Sequence, residues 1–153
     1  MTYATFEPSP GLPDPDRQPG FYSGIVTKRF LAWLVDLIVV FVITGLLSLV
    51  TIVGLFFIPV IWLVVDFCYR TVTLTNRSGT WGHRLMGIQF RDSTGRRFDL
   101  GTAGLHTLGY LLSMSFLLPQ IVSVVLMLTG ARGQSLTDVV LGSAAINRPA
   151  DGV

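Results

Sequence analysis

The chain is poor in charge and almost without cysteine. Only 13% of its 153 residues are charged, about half the share usual in soluble domains. That scarcity excludes an ordinary solvated surface. The single cysteine, Cys68, excludes an intrachain disulfide, and it lies inside an apolar segment where a thiol is inert. A net charge of +2 is too small to argue for a nucleic-acid partner. No basic start followed by a short apolar core opens the chain, so no secretory signal is expected. There is no nucleophile–base grouping, no cluster of metal ligands and no cofactor motif. The expectation is therefore a non-enzyme without metal or cofactor.

What the chain does hold is apolar length. Half of its residues are hydrophobic. Residues 30–69 form a nearly unbroken apolar run that contains two carboxylates, Asp36 and Asp66. As one helix the run would be about 60 Å long at about 1.5 Å per residue. A bilayer core is about 30 Å thick. The run is therefore predicted to fold back as a helical hairpin, with spans at about 30–48 and 55–74 and an uncharged turn between them. Pro59 falls in the first turn of the second span, where its missing N–H costs little.

Charge sets the orientation. Lys28 and Arg29 precede the first span; Arg70, Arg77, Arg84, Arg91, Arg96 and Arg97 end or follow the second. Basic residues stay on the cytoplasmic side, so the N-terminus and the loop after the second span are both placed there. The seven-residue spacing of Arg70, Arg77, Arg84 and Arg91 is not a coiled coil, because Gly79, Gly82 and Gly87 interrupt it and no apolar seam accompanies it. Arg77, Arg91, Arg96 and Arg97 are candidates for contact with anionic lipid headgroups.

Within that loop, 87–91 and 96–100 alternate around the turn Asp92-Ser93-Thr94-Gly95, which predicts a β-hairpin at the membrane surface, with 143–147 as a candidate third strand. A third apolar segment, 104–127, carries Ser113, Ser115, Pro119 and Gln120 near its middle. Two structures fit it: a span kinked at Pro119, or a helix–break–helix that re-enters and returns to the cytoplasmic face. Arg132 and Arg148 beyond it favour the second. The first 24 residues contain five prolines, at 8, 10, 13, 15 and 19, and no apolar periodicity; they read as a disordered tail. The domain expected is thus 25–148, with 149–153 as a C-terminal tail. The fold class is all-α transmembrane: a two-helix hairpin plus a third, Pro-broken hydrophobic segment, with a small cytoplasmic β-hairpin.

Intramembrane acids are functional candidates because a charge is costly there. Asp36 is seven residues from Arg29, nearly two turns along the same helix face. It reads either as an ion or proton site or as a packing lock that bonds an arginine or backbone donors of a neighbouring helix. Asp66 and Arg70, four apart, have the spacing and order of a local ion pair. Gly79-Thr80-Trp81-Gly82-His83-Arg84 lacks the spacing of a phosphate loop. His83 and His106 are far apart in sequence and have no metal-like neighbours, so no metal site is expected of them. His106 could titrate near neutral pH in a polar setting, though an interfacial or packing role is commoner.

Three segments together carry a resemblance: 28–36 (KRFLAWLVD), 78–88 (SGTWGHRLMGI) and 133–142 (GQSLTDVVLG). In order and spacing they resemble the RDD family of small prokaryotic membrane proteins. The resemblance covers about 24–147 and implies that Arg29, Asp36 and Asp138 are the positions after which the family is named. Asp66, Arg70, His83 and Arg84 would support them. The chain departs from the family in having His83 where a lysine is usual, with Arg84 beside it to carry the positive charge, and Thr137 where a histidine is usual. A single Arg29/Asp36/Asp138 constellation requires Asp138 to return to the cytoplasmic leaflet, which favours the re-entrant form of 104–127. The resemblance implies a multi-pass protein of the bacterial plasma (inner) membrane. Two functions fit. One is an oligomeric transport component for cations or protons that uses Asp36. The other is a structural or accessory membrane protein whose arginine–aspartate set locks the fold and whose basic loop binds lipid or a partner membrane protein.

Overall fold

In a computed structural model the described residues are 11–149. Helix α1 (Ile25–Val50) is followed by a 3-10 turn (Ile52–Phe57) and α2 (Ile58–Arg77), the predicted hairpin. Then come α3 (Trp81–Leu85), strand β1 (Ile88–Arg91), α4 (Leu100–Ser115), α5 (Leu117–Thr129), α6 (Leu136–Leu141) and strand β2 (Ala144–Asn147). Helix α1 begins five residues before the span read from the sequence. The entrance Ile25-Val26-Thr27-Lys28-Arg29 belongs to the helix, although it lies outside the long apolar run.

The burial pattern is inverted relative to a soluble bundle. The buried positions of α1 are Ile25, Ala32, Asp36, Val40, Thr44 and Ser48, largely small or polar and spaced by about one turn. Phe30, Ile38, Phe41, Leu46 and Leu49 face outward. Lipid offers no drive to bury large apolar side chains, so close-packing small residues and polar pairs fill the helix contacts. In water such an apolar exterior would be a severe liability. Helices α1 and α2 are long and apolar enough to cross a membrane.

The third apolar segment is broken. Helices α4 and α5 meet at 114°. The break lies at Phe116, whose extended backbone (φ −127°, ψ 129°) interrupts the helix. Pro119, expected to make the kink itself, instead occupies the first turn of α5, where a proline loses no intrahelical bond. Both outer ends of the pair come back to the base of α1. Ala103 of α4 packs with Ile25, and the Gly133 carbonyl beyond α5 accepts from Arg29.

The sheet corrects the expected hairpin. β1 pairs antiparallel with β2, Phe90 opposite Ala145, and not with 96–100. Asp92 does make the turn, accepting from the backbone of Thr94 and Arg96. Beyond it, however, Asp99 caps α4 through the Thr102 N–H, and Phe98 drops singly into the core beside Phe90. The helix that Asp99 caps begins at Leu100, so 96–100 has no run of extended residues left to pair. The segment offered as a third strand, 143–147, is the true partner.

Residues 11–24 also depart from expectation. Leu12 and Tyr22 are buried against Ala144 and Ile146 of β2, and the Tyr22 hydroxyl donates to the Pro13 carbonyl at 2.9 Å. The tail reading fails there because two apolar side chains suffice to cover one face of a two-stranded sheet. Its first ten residues lie outside the described residues, as do the last four of the expected C-terminal tail.

Candidate functional site

Two buried carboxylates organise the base of the bundle. Asp36, on α1, is wholly inaccessible. Its Oδ1 accepts the Tyr69 hydroxyl at 2.8 Å and the Gly82 N–H at 2.9 Å. Its Oδ2 accepts the Thr80 hydroxyl at 2.5 Å, with Arg70 Nη1 at 3.7 Å. Thr80 is the N-cap of α3 and also meets His83 Nδ1 in a capping box. Gly82 makes the approach possible: a Cβ there would stand 2.1 Å from the Ala32 carbonyl oxygen. Arg70 is itself buried, donates to Asp66 Oδ1 at 2.7 Å and lies over the Tyr110 ring at 4.1 Å. The local Asp66–Arg70 pair is therefore formed, and Arg70 serves two acids.

Asp138 is the second centre. It sits in α6, whose N-cap Ser135 and Asp138 close a capping box. Its Oδ2 accepts Arg29 Nη1 at 2.6 Å, the Ser135 N–H at 2.9 Å and the Ser135 hydroxyl at 2.7 Å. Its Oδ1 accepts the Ser143 hydroxyl at 3.1 Å and stands 2.8 Å from His106 Nε2. Phe90 of β1 fills the space between the centres. The rings of His83 and His106 stand against it at 5.0 and 4.8 Å, and the Arg29 guanidinium at 5.2 Å. Above this layer a cavity of about 490 Å³ is lined by Arg29, Arg70, His83, His106, Thr107 and Trp33 among others; no aspartate reaches its wall.

A half-buried arginine near the start of the first helix, a buried aspartate seven residues on and a second buried aspartate near the end form one pattern, and the RDD family profile matches residues 24–142. The chain belongs to the RDD family. No curated protein and no solved structure matches it.

In this RDD protein the three namesake positions do not converge on one point. Arg29 reaches past its own helix to Asp138, and Asp36 takes Arg70 instead. The single constellation that the sequence allowed is instead two centres. Arg84, expected to carry the charge beside His83, is exposed, whereas His83 is buried. Arg77, Arg96 and Arg97 are exposed and Arg91 is half-buried. Sequence reasoning passed over Tyr69, Thr80 and Tyr110, and it named His106 without its partner Asp138. For Thr80 a signal existed: a threonine three residues before a side chain able to return the bond is an N-cap pattern. Tyr110 had none, and the pairing of His106 had none, since their partners lie 40 and 32 residues away.

The two centres respond to pH in one direction. Burial, then the charges of Arg70 and Arg29, hold the His83 imidazole well below the ordinary histidine value. Burial alone would raise Asp138, but Arg29 and the His106 hydrogen bond outweigh it, and its carboxyl lies well below the usual carboxylate range. Both folded values are depressed, so the stability they contribute is present above the unfolded values and is lost as pH falls. His83 acts first, below its unfolded value of about 6.5. The melting temperature in detergent is expected to fall between pH 7.5 and 5.5, and His83→Gln is expected to flatten that slope. An equal slope in the variant would remove His83 from the account.

Proposed function

We propose that this RDD-family membrane protein is an accessory or structural component whose arginine–aspartate centres lock the cytoplasmic base of the fold, while its basic loop meets anionic headgroups or a partner membrane protein. One observation carries this: both oxygens of Asp36 and of Asp138 are engaged, both side chains are inaccessible, and neither lines the cavity of about 490 Å³ or the smaller one of about 150 Å³. A carboxylate that exchanges ions needs access and a free oxygen; these two have donors instead.

A second reading, an oligomeric transport component for protons or cations, draws support from Asp66 rather than Asp36. One arginine serves both acids, Asp66 Oδ2 has no hydrogen-bond partner among the described residues, and Asp66 lines a smaller cavity of about 150 Å³ with Trp33, Trp62 and Tyr110. Liposomes separate the two. With internal pH followed while sodium, potassium or lithium is added outside, the accessory reading expects no cation-driven proton flux from folded protein. Flux that survives Asp36→Asn but is lost in folded Asp66→Asn selects transport at Asp66; flux lost with Asp36→Asn restores Asp36.

The membrane assignment that goes with either reading is the bacterial plasma (inner) membrane, crossed by α1 and α2, entered and left on the cytoplasmic side by α4–α5, with the N-terminus cytoplasmic. The bend and the return of both ends to the base of α1 support it. Cysteine at the exposed Arg148, in a Cys68→Ala background, is expected to react with an impermeant maleimide only from the cytoplasmic side. Labelling from outside alone would make α4–α5 a third crossing.

A further inference from the structure

The larger cavity has a construction that the locks do not require. α1 packs on α2 and α3, and α5 packs on α4 and α6; α1 and α5 are not among the closely packed pairs. The cavity occupies the gap. Val26, Phe30 and Trp33 line it from α1, and Gln120, Val124 and Leu128 from α5, each set spaced by one helical turn. Phe30 and Leu128 are exposed at its mouth, so it opens toward lipid. Its volume, about 490 Å³, is that of a small-molecule site.

Its wall is apolar but offers hydrogen-bond donors that nothing accepts. The Thr107 hydroxyl, on a side chain 1% exposed, has no partner among the described residues. His83 Nδ1 is occupied by Thr80, which leaves Nε2 as the ring nitrogen for the cavity. Gln120 Oε1 accepts from Ser113 at 3.3 Å, and its amide nitrogen donates to no described residue. A buried polar group without a partner costs stability unless something fills it.

Charge decides the class of occupant. Arg29 and Arg70 reach the wall already matched, by Asp138 and by Asp66 with Asp36. Two arginines against three aspartates leave no surplus positive charge for an anion. A cation would meet two guanidinium groups and no carboxylate. We propose that this cavity binds an uncharged amphiphile, its oxygen acceptors toward Thr107 and His83 and its apolar tail leaving between α1 and α5. Isoprenoid quinones and diacylglycerols share that chemistry.

The test uses the full chain in phosphatidylcholine nanodiscs. A short-chain ubiquinone is titrated while tryptophan fluorescence is read, Trp33 being on the wall. Dioctanoylglycerol and phosphatidylglycerol are then added as competitors, and the rise in melting temperature with dioctanoylglycerol is measured separately. Saturable quenching by the quinone is expected. It identifies a quinone if dioctanoylglycerol does not displace it, and the wider acceptor class if it does; a thermal shift with dioctanoylglycerol and no quenching identifies a diacylglycerol. Val124→Phe, which fills the cavity from α5, is expected to weaken binding at least about tenfold. Thr107→Val, of the same shape without the hydroxyl, is expected to weaken it about fivefold. Binding of neither neutral probe, equal binding in wild type and both variants, or displacement by phosphatidylglycerol in preference to dioctanoylglycerol would overturn the proposal.

Discussion

Asp138→Ala is expected to be the most damaging single change in the molecule. It strips Arg29 of its carboxylate, leaves His106 Nε2 and the Ser143 hydroxyl without their acceptor, and opens the capping box at Ser135. Removing one partner of a buried ion pair costs about 3–5 kcal/mol, because the other charge stays buried and uncompensated. That is a large part of a typical stability of about 5–15 kcal/mol. The expected result is early thermal unfolding in detergent and loss of the monodisperse species on size exclusion. Replacing both partners, Arg29→Met with Asp138→Asn, is expected to recover part of the loss, since no lone charge remains. A double variant no better than Asp138→Ala would mean that Arg29 has other obligations.

Arg70→Met is expected to come next, at about 3–5 kcal/mol by the same reasoning. Here the stranded charges are two: Asp66 loses its bond of 2.7 Å and Asp36 its nearest cation, at 3.7 Å. Tyr110 also loses the guanidinium stacked on its ring. Asp36 keeps three neutral donors, from Tyr69, Thr80 and Gly82, whereas Asp66 keeps none among the described residues. Asp66→Asn in the Arg70→Met background is therefore expected to recover more stability than Asp36→Asn does. Thermal unfolding of the three variants reads the difference, and the opposite order would place the main debt of Arg70 with Asp36.

The features that were legible in the sequence are those written locally. The hairpin follows from apolar length against bilayer thickness, and the Asp66–Arg70 pair from a spacing of four. The importance of Arg29, Asp36 and Asp138 came through resemblance, but their pairing did not. Seven residues along α1 put Arg29 and Asp36 on roughly one face, yet each finds its partner on another element. Periodicity names the face and says nothing of what is packed upon it. The strand pairing failed for a related reason. Alternation at 96–100 is a weak signal that the cap at Asp99 overrides, while 144–147, four residues of mostly small side chains, shows its role only against Phe90 and Tyr22.

The order in which the two centres close follows from where their parts lie along the chain. The Asp36 centre takes its donors from residues 69, 70, 80 and 82, so it can assemble once the hairpin and the short helix after it have left the ribosome. Arg29 is 109 residues from Asp138 and has to wait. During synthesis its guanidinium therefore has no Asp138 to pair with until nearly the whole protein has been made and α6 is in place.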